Sequence, residues 1–224
     1  MKANKENVMK KLLCPSMMCA DYDALKDCVL KLDTTDIDIY HCDVMDGIFV
    51  PNITMGLMDI KTIRKYTNKL IDVHLMIENP SNKIEWFIEA GADIIYIHPE
   101  AERYVVKTLA TIKDKGKMAG IAINPDTSIE SVHEMLNLCD YVLVMSVNPG
   151  FTGQKFIDFI KDKILQLIEI KKEKDFKIII DGGGCKELIE EFKDLDVDGF
   201  VLGNKALFHK PQSYHDSINE LRSI

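Results

Sequence analysis

Short apolar runs alternate along the chain with longer stretches in which apolar residues recur every three or four positions. The short runs read as buried strands and the longer stretches as helices packed against them. The first run, residues 12–18, follows a polar tail that is expected to fray. Residues 23–32 then place Leu25, Val29 and Leu32 at helical spacing, with Asp21 or Asp23 available as a cap. The second run, 37–43, opens the segment IDIYHCDVMDGIFVPN, breaks at Gly47 and Pro51, and is followed by the helical pattern MGLMDIKTIRKY. The alternation repeats with strands over 70–77, 94–98, 118–123, 141–146, 177–180 and 199–202. Between them the spacing predicts helices over 80–87, 104–115, 129–138, 157–172 and 186–192, with closing helical segments reaching Leu221.

That makes eight strand-then-helix units joined by a few residues, with no linker and no low-complexity tract. The count predicts an α/β fold, a single (β/α)8 TIM barrel domain over residues 1–224. An open doubly wound sheet is the alternative. Polar residues discriminate between the two, because they recur at the C-terminal strand ends: Ser16, His41, Asp43, His74, His98, Asn124, Ser146 and Asp181. A barrel gathers those ends onto one rim, whereas an open sheet spreads them along a line.

Composition narrows the function classes. The 224 residues are 46% hydrophobic, enough for a sizeable core, and the formal net charge is -8 with acids and bases interspersed. A nucleic-acid partner would need a clustered basic surface, so none is expected. No apolar run approaches the roughly 20 residues that span a bilayer, and MKANKENVMKK lacks the apolar core of a signal peptide. A cytoplasmic protein without membrane contact is therefore expected. Cys14, Cys19, Cys28, Cys42, Cys139 and Cys185 form no CxxC pair and read as reduced thiols. The charge run from Lys161 to Lys174 reads as a solvated helix face, and Trp86, His133 and Asn148 suggest no role.

The chemistry concentrates at the strand ends. In an extended 37–43, His41 and Asp43 share a face while Cys42 points away, and Asp72 shares a face with His74. His41, Asp43, His74 and Asp181 are together a plausible ligand set for one divalent ion, Zn2+, Fe2+, Mn2+ or Co2+. Taken singly, each histidine also fits a hydrogen-bonded core position. The carboxylates of Asp43 and Asp181 end apolar runs, where a lone buried charge costs several kcal/mol and so needs a cation or many donors. Two acids in one pocket suggest proton transfer, each acting as base or acid in turn. Three glycine-rich segments, Gly150-Phe151-Thr152-Gly153, Asp181-Gly182-Gly183-Gly184 and Gly203-Asn204-Lys205, follow the last three strands, where barrels commonly bind phosphate. Met45, Met76 and Met145 read either as core filling or as a flexible apolar floor for the site.

These motifs resemble the ribulose-phosphate 3-epimerase family. The resemblance rests on CPSMMCAD, HCDVMDGIFVPN, DVHLMIENP, MSVNPGFTGQKF and IIIDGGG, in order over nearly the whole chain. It implies a metal-dependent (β/α)8 barrel that epimerises C3 of a ketose phosphate through a cis-enediolate, converting D-ribulose 5-phosphate to D-xylulose 5-phosphate in the pentose phosphate pathway. It also implies that His41, Asp43, His74 and Asp181 are the metal ligands, with Asp43 and Asp181 the acid–base pair. Ser16, His74, Gly150, Phe151, Thr152, Gly153, Asp181, Gly182, Gly183, Gly203, Asn204 and Lys205 become the expected substrate and phosphate contacts. A homo-oligomer is expected. LGNKALF departs from the family's usual AGSAIF, so Asn204 and Lys205 stand opposite the usual Gly-Ser, while PSMMC, HPE and DGGGC lean toward the allulose-6-phosphate 3-epimerase branch. D-allulose 6-phosphate as substrate, and an inactive phosphosugar-binding barrel, are thus alternatives. A Schiff-base aldolase would want a lysine at a strand end, and none of the strand-end residues is one.

Overall fold

The wall of the fold is a ring of parallel strands. The computed structural model describes residues 10–184 and 186–224; the N-terminal tail and the Cys185 thiol lie outside the described residues. The strands are β1 (Leu12–Pro15), β2 (Ile39–Asp46), the two-residue β3 (Ile53–Thr54), β4 (Leu70–Met76), β5 (Ile94–Ile97), β6 (Met118–Ile123), β7 (Tyr141–Met145), β8 (Lys177–Asp181) and β9 (Gly199–Leu202). Their hydrogen-bonded order is β1-β9-β8-β7-β6-β5-β4-β2-β3, parallel throughout except that β3 runs antiparallel to β2. A bridge between Ser16 and His41 joins β1 to β2, and the Asp38 N–H donates to the Leu13 carbonyl at 3.0 Å. The eight parallel strands therefore close into a barrel, not an open sheet.

Helices α1 (Leu25–Asp33), α2 (Leu57–Tyr66), α3 (Ile84–Ala90), α4 (Val105–Asp114), α5 (Ile129–Val132), α6 (Ile160–Lys171), α7 (Lys186–Phe192) and α8 (Tyr214–Arg222) surround it. Local chemistry sets several of their ends. Ser128 and Ser213 accept from the backbone N–H of Ser131 and Asp216, and α3 stops at Gly91 with φ 111°. Strand alternation sorts the core into two layers. Val73, Leu75, Ile95, Ile97, Ile121, Val142 and Val144 point outward into the layer under the helices. Cys14, Ile39, Ile94, Tyr96, Ala122, Tyr141, Leu143, Ile179 and Val201 fill the barrel interior. Gly120 leaves the room that the Tyr96 ring occupies, since a Cβ there would meet Tyr96 Cδ1 at 2.5 Å. This plug closes the lower barrel and leaves the inward positions at the strands' C-terminal ends for polar groups.

Several boundaries differ from the pattern-based expectation. The first strand stops at Pro15, because residues 17–19 turn into a 3-10 helix that buries Met17 and Cys19. The second strand continues past Asp43 to Asp46, whose carboxylate accepts from the N–H groups of Ile48, Phe49 and Glu78 at 2.9, 3.0 and 2.8 Å. β3 was not signalled; its Thr54 hydroxyl donates to the Asp43 carbonyl at 2.6 Å. The expected helix over 129–138 splits into α5 and a 3-10 turn, and α6 begins only at Ile160. The solvated helix face expected from Lys161 to Lys174 is corrected at Lys163. Its ammonium is buried and donates to the carbonyls of Asn124, Pro125 and Thr127 at 2.7, 2.9 and 2.6 Å. Cys14, Cys19, Cys28, Cys42 and Cys139 are buried free thiols, and among the described residues no helix is long and apolar enough to cross a membrane.

Candidate active site

Three strand ends meet at one point on the C-terminal rim. β2 pairs with β4 so that His41 sits beside Asp72 and Asp43 beside His74, all four side chains facing inward. β8 ends at Asp181, whose carbonyl accepts from the Ser146 backbone N–H at 2.7 Å and from its hydroxyl at 2.9 Å. Gly182, with φ 97°, then turns the chain; a Cβ there would meet Val147 Cγ2 at 2.6 Å. Asp181 is thereby aimed across the barrel at β2 and β4.

The resulting contacts are short. Asp43 Oδ1 lies 3.2 Å from His41 Nε2 and 3.0 Å from His74 Nδ1, and Asp43 Oδ2 accepts from the Ser16 hydroxyl at 2.7 Å. Asp181 Oδ2 lies 3.8 Å from His41 Nε2 and 3.6 Å from His74 Nδ1. A tetrahedral ion with bonds of about 2.0–2.1 Å needs donors about 3.3–3.4 Å apart. The four measured separations bracket that spacing, and one ligand atom from each of His41, Asp43, His74 and Asp181 falls within 4.8 Å of all the others. The donor chemistry and the spacing both fit a divalent cation.

A second ring of polar groups backs the first. His41 Nδ1 stands 2.6 Å from Asp72 Oδ1, at ion-pair distance although the angle departs from that of an aligned hydrogen bond. His74 Nε2 stands 2.7 Å from His98 Nε2. Asp72, His98 and the nearby Glu100 are site neighbours that strand parity and strand-end position signalled only in part: Asp72 shares the face of His74, and His98 ends a strand.

Protonation preferences diverge sharply within this small volume. Burial opposes a charge on His41, yet Asp72 and Asp43 hold its pKa well above the ordinary imidazole value. Burial also works against an ionised Asp43, but the His41 and His74 rings outweigh it and keep that carboxyl well below the usual range. Burial pushes Asp181 up to about 7, and the neighbouring Asp43 charge adds to the shift. His74 is lowered to about 4, mainly by burial. One carboxylate is thus held ionised while the other retains a proton near neutrality.

Above these groups opens a cleft with about 640 Å³ of empty space including its mouth. Ser16, Asp43, Met45, Met76, Met145, Gly150, Phe151, Thr152, Gly153, Asp181, Gly182, Gly183, Gly203, Asn204 and Lys205 all line it. His41 and His74 lie just beneath, fully buried. The methionines are both core and floor: Met45 and Met76 pack with Val50, while Met145 joins the barrel interior. Met18, Cys19, Asn148 and Gln154 also line the cleft, although the sequence assigned Asn148 no role. Gln154 Nε2 donates to the carbonyls of Asn148 and Phe151 at 2.6 and 2.9 Å, and Asn52 Nδ2 to that of Gly150 at 2.7 Å. These bonds shape the glycine-rich loop over the cleft.

The model of the ribulose-phosphate 3 epimerase family matches residues 12–208. A ribulose-phosphate 3-epimerase from Aquifex aeolicus is 42% identical over 196 residues, covering 87% of this chain and 88% of its own. One from Synechocystis is 39% identical over 216 residues, covering 95% and 93%. Among solved structures, 3-keto-L-gulonate-6-phosphate decarboxylase from Vibrio cholerae superposes with a TM-score of 0.69 over 96% of this chain and 97% of that one, at 16% identity. That likeness speaks for the fold alone, whereas the sequence relatives and the family match reach further. The chain belongs to the ribulose-phosphate 3-epimerase family.

Proposed function

We propose that the protein interconverts D-ribulose 5-phosphate and D-xylulose 5-phosphate by moving the proton at C3 from one face of the sugar to the other. The observation that carries this is the pair Asp43 and Asp181, brought to one cleft from β2 and β8. Asp43, ionised, takes the C3 proton of one epimer and leaves a cis-enediolate. Asp181, reaching the cleft from β8, returns a proton to the opposite face. Reaction of the other epimer runs the same steps with the roles exchanged, so one pair of acids serves both directions. A divalent ion held by His41, Asp43, His74 and Asp181, whether Zn2+, Fe2+, Mn2+ or Co2+, would supply positive charge against the charge that develops on the substrate oxygens. The Ser16 hydroxyl fixes the rotamer of Asp43. The three methionines keep the reacting centre free of competing proton donors. Backbone N–H groups of Gly182, Gly183 and Gly203, with Lys205 as counter-charge, are the proposed phosphate end of the cleft.

The test compares kcat/KM for D-ribulose 5-phosphate and D-allulose 6-phosphate in metal-replete wild type and in Asp43→Asn. The expected result is preference for the pentose, with Asp43→Asn lowered by about 100-fold or more. Faster turnover of the hexose would move the substrate assignment, and a wild-type rate in Asp43→Asn would refute the acid–base assignment.

A further inference from the structure

His74 has two ring nitrogens, and the proposed ion site uses one of them. Nδ1 faces Asp43 at 3.0 Å and Asp181 at 3.6 Å. On the opposite edge, Nε2 meets Nε2 of His98 at 2.7 Å, the two rings meeting edge to edge with 29° between their planes and 4.9 Å between centroids. Beyond it, His98 Nδ1 lies 3.5 Å from Glu100 Oε2, and the other Glu100 oxygen accepts from the Thr127 hydroxyl. Both rings are fully buried, Phe49 covers the His98 ring at 4.8 Å, and Glu100 reaches the surface. A line of polar groups thus runs from the centre of the barrel to its rim.

Hydrogen-bond chemistry leaves this line little freedom. Two ring nitrogens in contact share a single proton, one donating and the other accepting. If His74 presents the Nδ1 lone pair to an ion, as the metal-site reading on which this inference rests requires, its proton is on Nε2. His98 Nε2 must then accept it. The His98 proton in turn is on Nδ1, which the Glu100 carboxylate faces at ion-pair distance, although the angle departs from that of an aligned hydrogen bond. Each group in the line specifies the protonation of the next, and the negative end anchors the whole.

We infer that His98 and Glu100 are positioning residues for the candidate metal centre: they take the outward proton of His74 and so hold its Nδ1 lone pair toward the ion. The sequence places them economically. His98 directly follows β5, next to β4, and Pro99 starts the 3-10 turn that brings Glu100 back alongside the ring. Without His98, the His74 Nε2–H would be buried with no acceptor whenever Nδ1 ligates, and that penalty would fall on metal binding.

The experiment strips the full-length protein with a chelator and measures Zn2+ affinity by competition with a chromophoric chelator. Wild type is compared with His74→Ala, His98→Leu, His98→Gln and Glu100→Ala. His98→Leu and Glu100→Ala should bind Zn2+ roughly 10–100-fold more weakly, while His98→Gln, whose Oε1 can accept from His74 Nε2–H, should recover to within about threefold of wild type. Long-range 1H–15N correlation spectra of the Zn2+-loaded wild type should show His98 as the Nδ1–H tautomer and His74 as the Nε2–H tautomer. Glu100→Ala, altered at an accessible side chain, keeps the test informative should His98→Leu fail to fold. Wild type that binds no Zn2+, or His74→Ala that binds it equally well, would remove the metal-site reading itself. Binding that His74→Ala loses but His98→Leu and Glu100→Ala keep within about twofold overturns the inference alone. An Nε2–H tautomer for His98 in the loaded protein does the same.

Discussion

Replacing Asp181 by Asn separates catalysis from stability because the two should move in opposite directions. The substitution keeps the shape of the side chain and removes its proton chemistry. Loss of a positioned acid–base group costs about 10²–10⁴ in rate, so kcat should fall by that factor in metal-replete protein. The metal-free fold should respond the other way. Burial and the Asp43 charge raise the Asp181 pKa to about 7, and the side chain is only 13% exposed. Against an unfolded value of about 3.9, that is a shift of about 3 units, or about 4 kcal/mol of stability withheld once the native carboxyl ionises. A carboxyl with a raised native pKa supports the fold fully below the unfolded value, and that support is lost as pH rises through the native one. The advantage of Asn should therefore be small near pH 4, grow toward pH 7 and level off above it. Even half of the full relief would raise Tm by roughly 4–8 °C in a chain of this size. Thermal melts of chelator-treated wild type and Asp181→Asn from pH 4 to 8, with steady-state rates on the metal-loaded proteins, read both effects. A variant no more stable than wild type at pH 8, an advantage that does not change with pH, or a kcat within tenfold of wild type would refute the reasoning.

Other expectations follow from the same structure. Lys163→Met removes three hydrogen bonds of 2.7, 2.9 and 2.6 Å and leaves their carbonyls without the ammonium, so urea unfolding should show a loss of about 2–3 kcal/mol; an unchanged midpoint would contradict it. Because His41 and Asp181 both hold protons more tightly than usual in the metal-free site, Zn2+ binding should release protons, and its apparent affinity should rise by roughly tenfold or more between pH 6 and 8; an affinity independent of pH would count against the ligand set. Gly182→Ala places a Cβ 2.6 Å from Val147 and 2.9 Å from the Ser146 hydroxyl at φ 97°, so kcat/KM should drop by about tenfold or more even where the barrel still folds. Wild-type kcat/KM in that variant would show that the turn does not aim Asp181.

The sequence carried the barrel and the inner site because both are written in alternation. His41 with Asp43, and Asp72 with His74, share parity on neighbouring strands, so pairing β2 with β4 was enough to bring the four together. What the pattern could not carry is distance between segments. Lys163 sits in a run of charges that looks solvated, and only the packing of α6 against the loop at 124–127 turns it into an internal ligand for carbonyls. Glu100 looks like an ordinary surface acid until the turn after Pro99 folds it back beside His98. β3 has two residues, too few for any periodicity, and its pairing depends on a tertiary contact with Met45 and Asp46. The protonation contrast between Asp43 and Asp181 was also illegible in one dimension, since it arises from which rings and charges surround each acid.

The central claim is that two aspartates carry a proton on and off C3 of a ketose phosphate. Incubating the metal-loaded protein with D-ribulose 5-phosphate in deuterated water and reading the product by proton NMR addresses it most directly. The account predicts D-xylulose 5-phosphate with deuterium at C3; product that retains the original hydrogen there would contradict it.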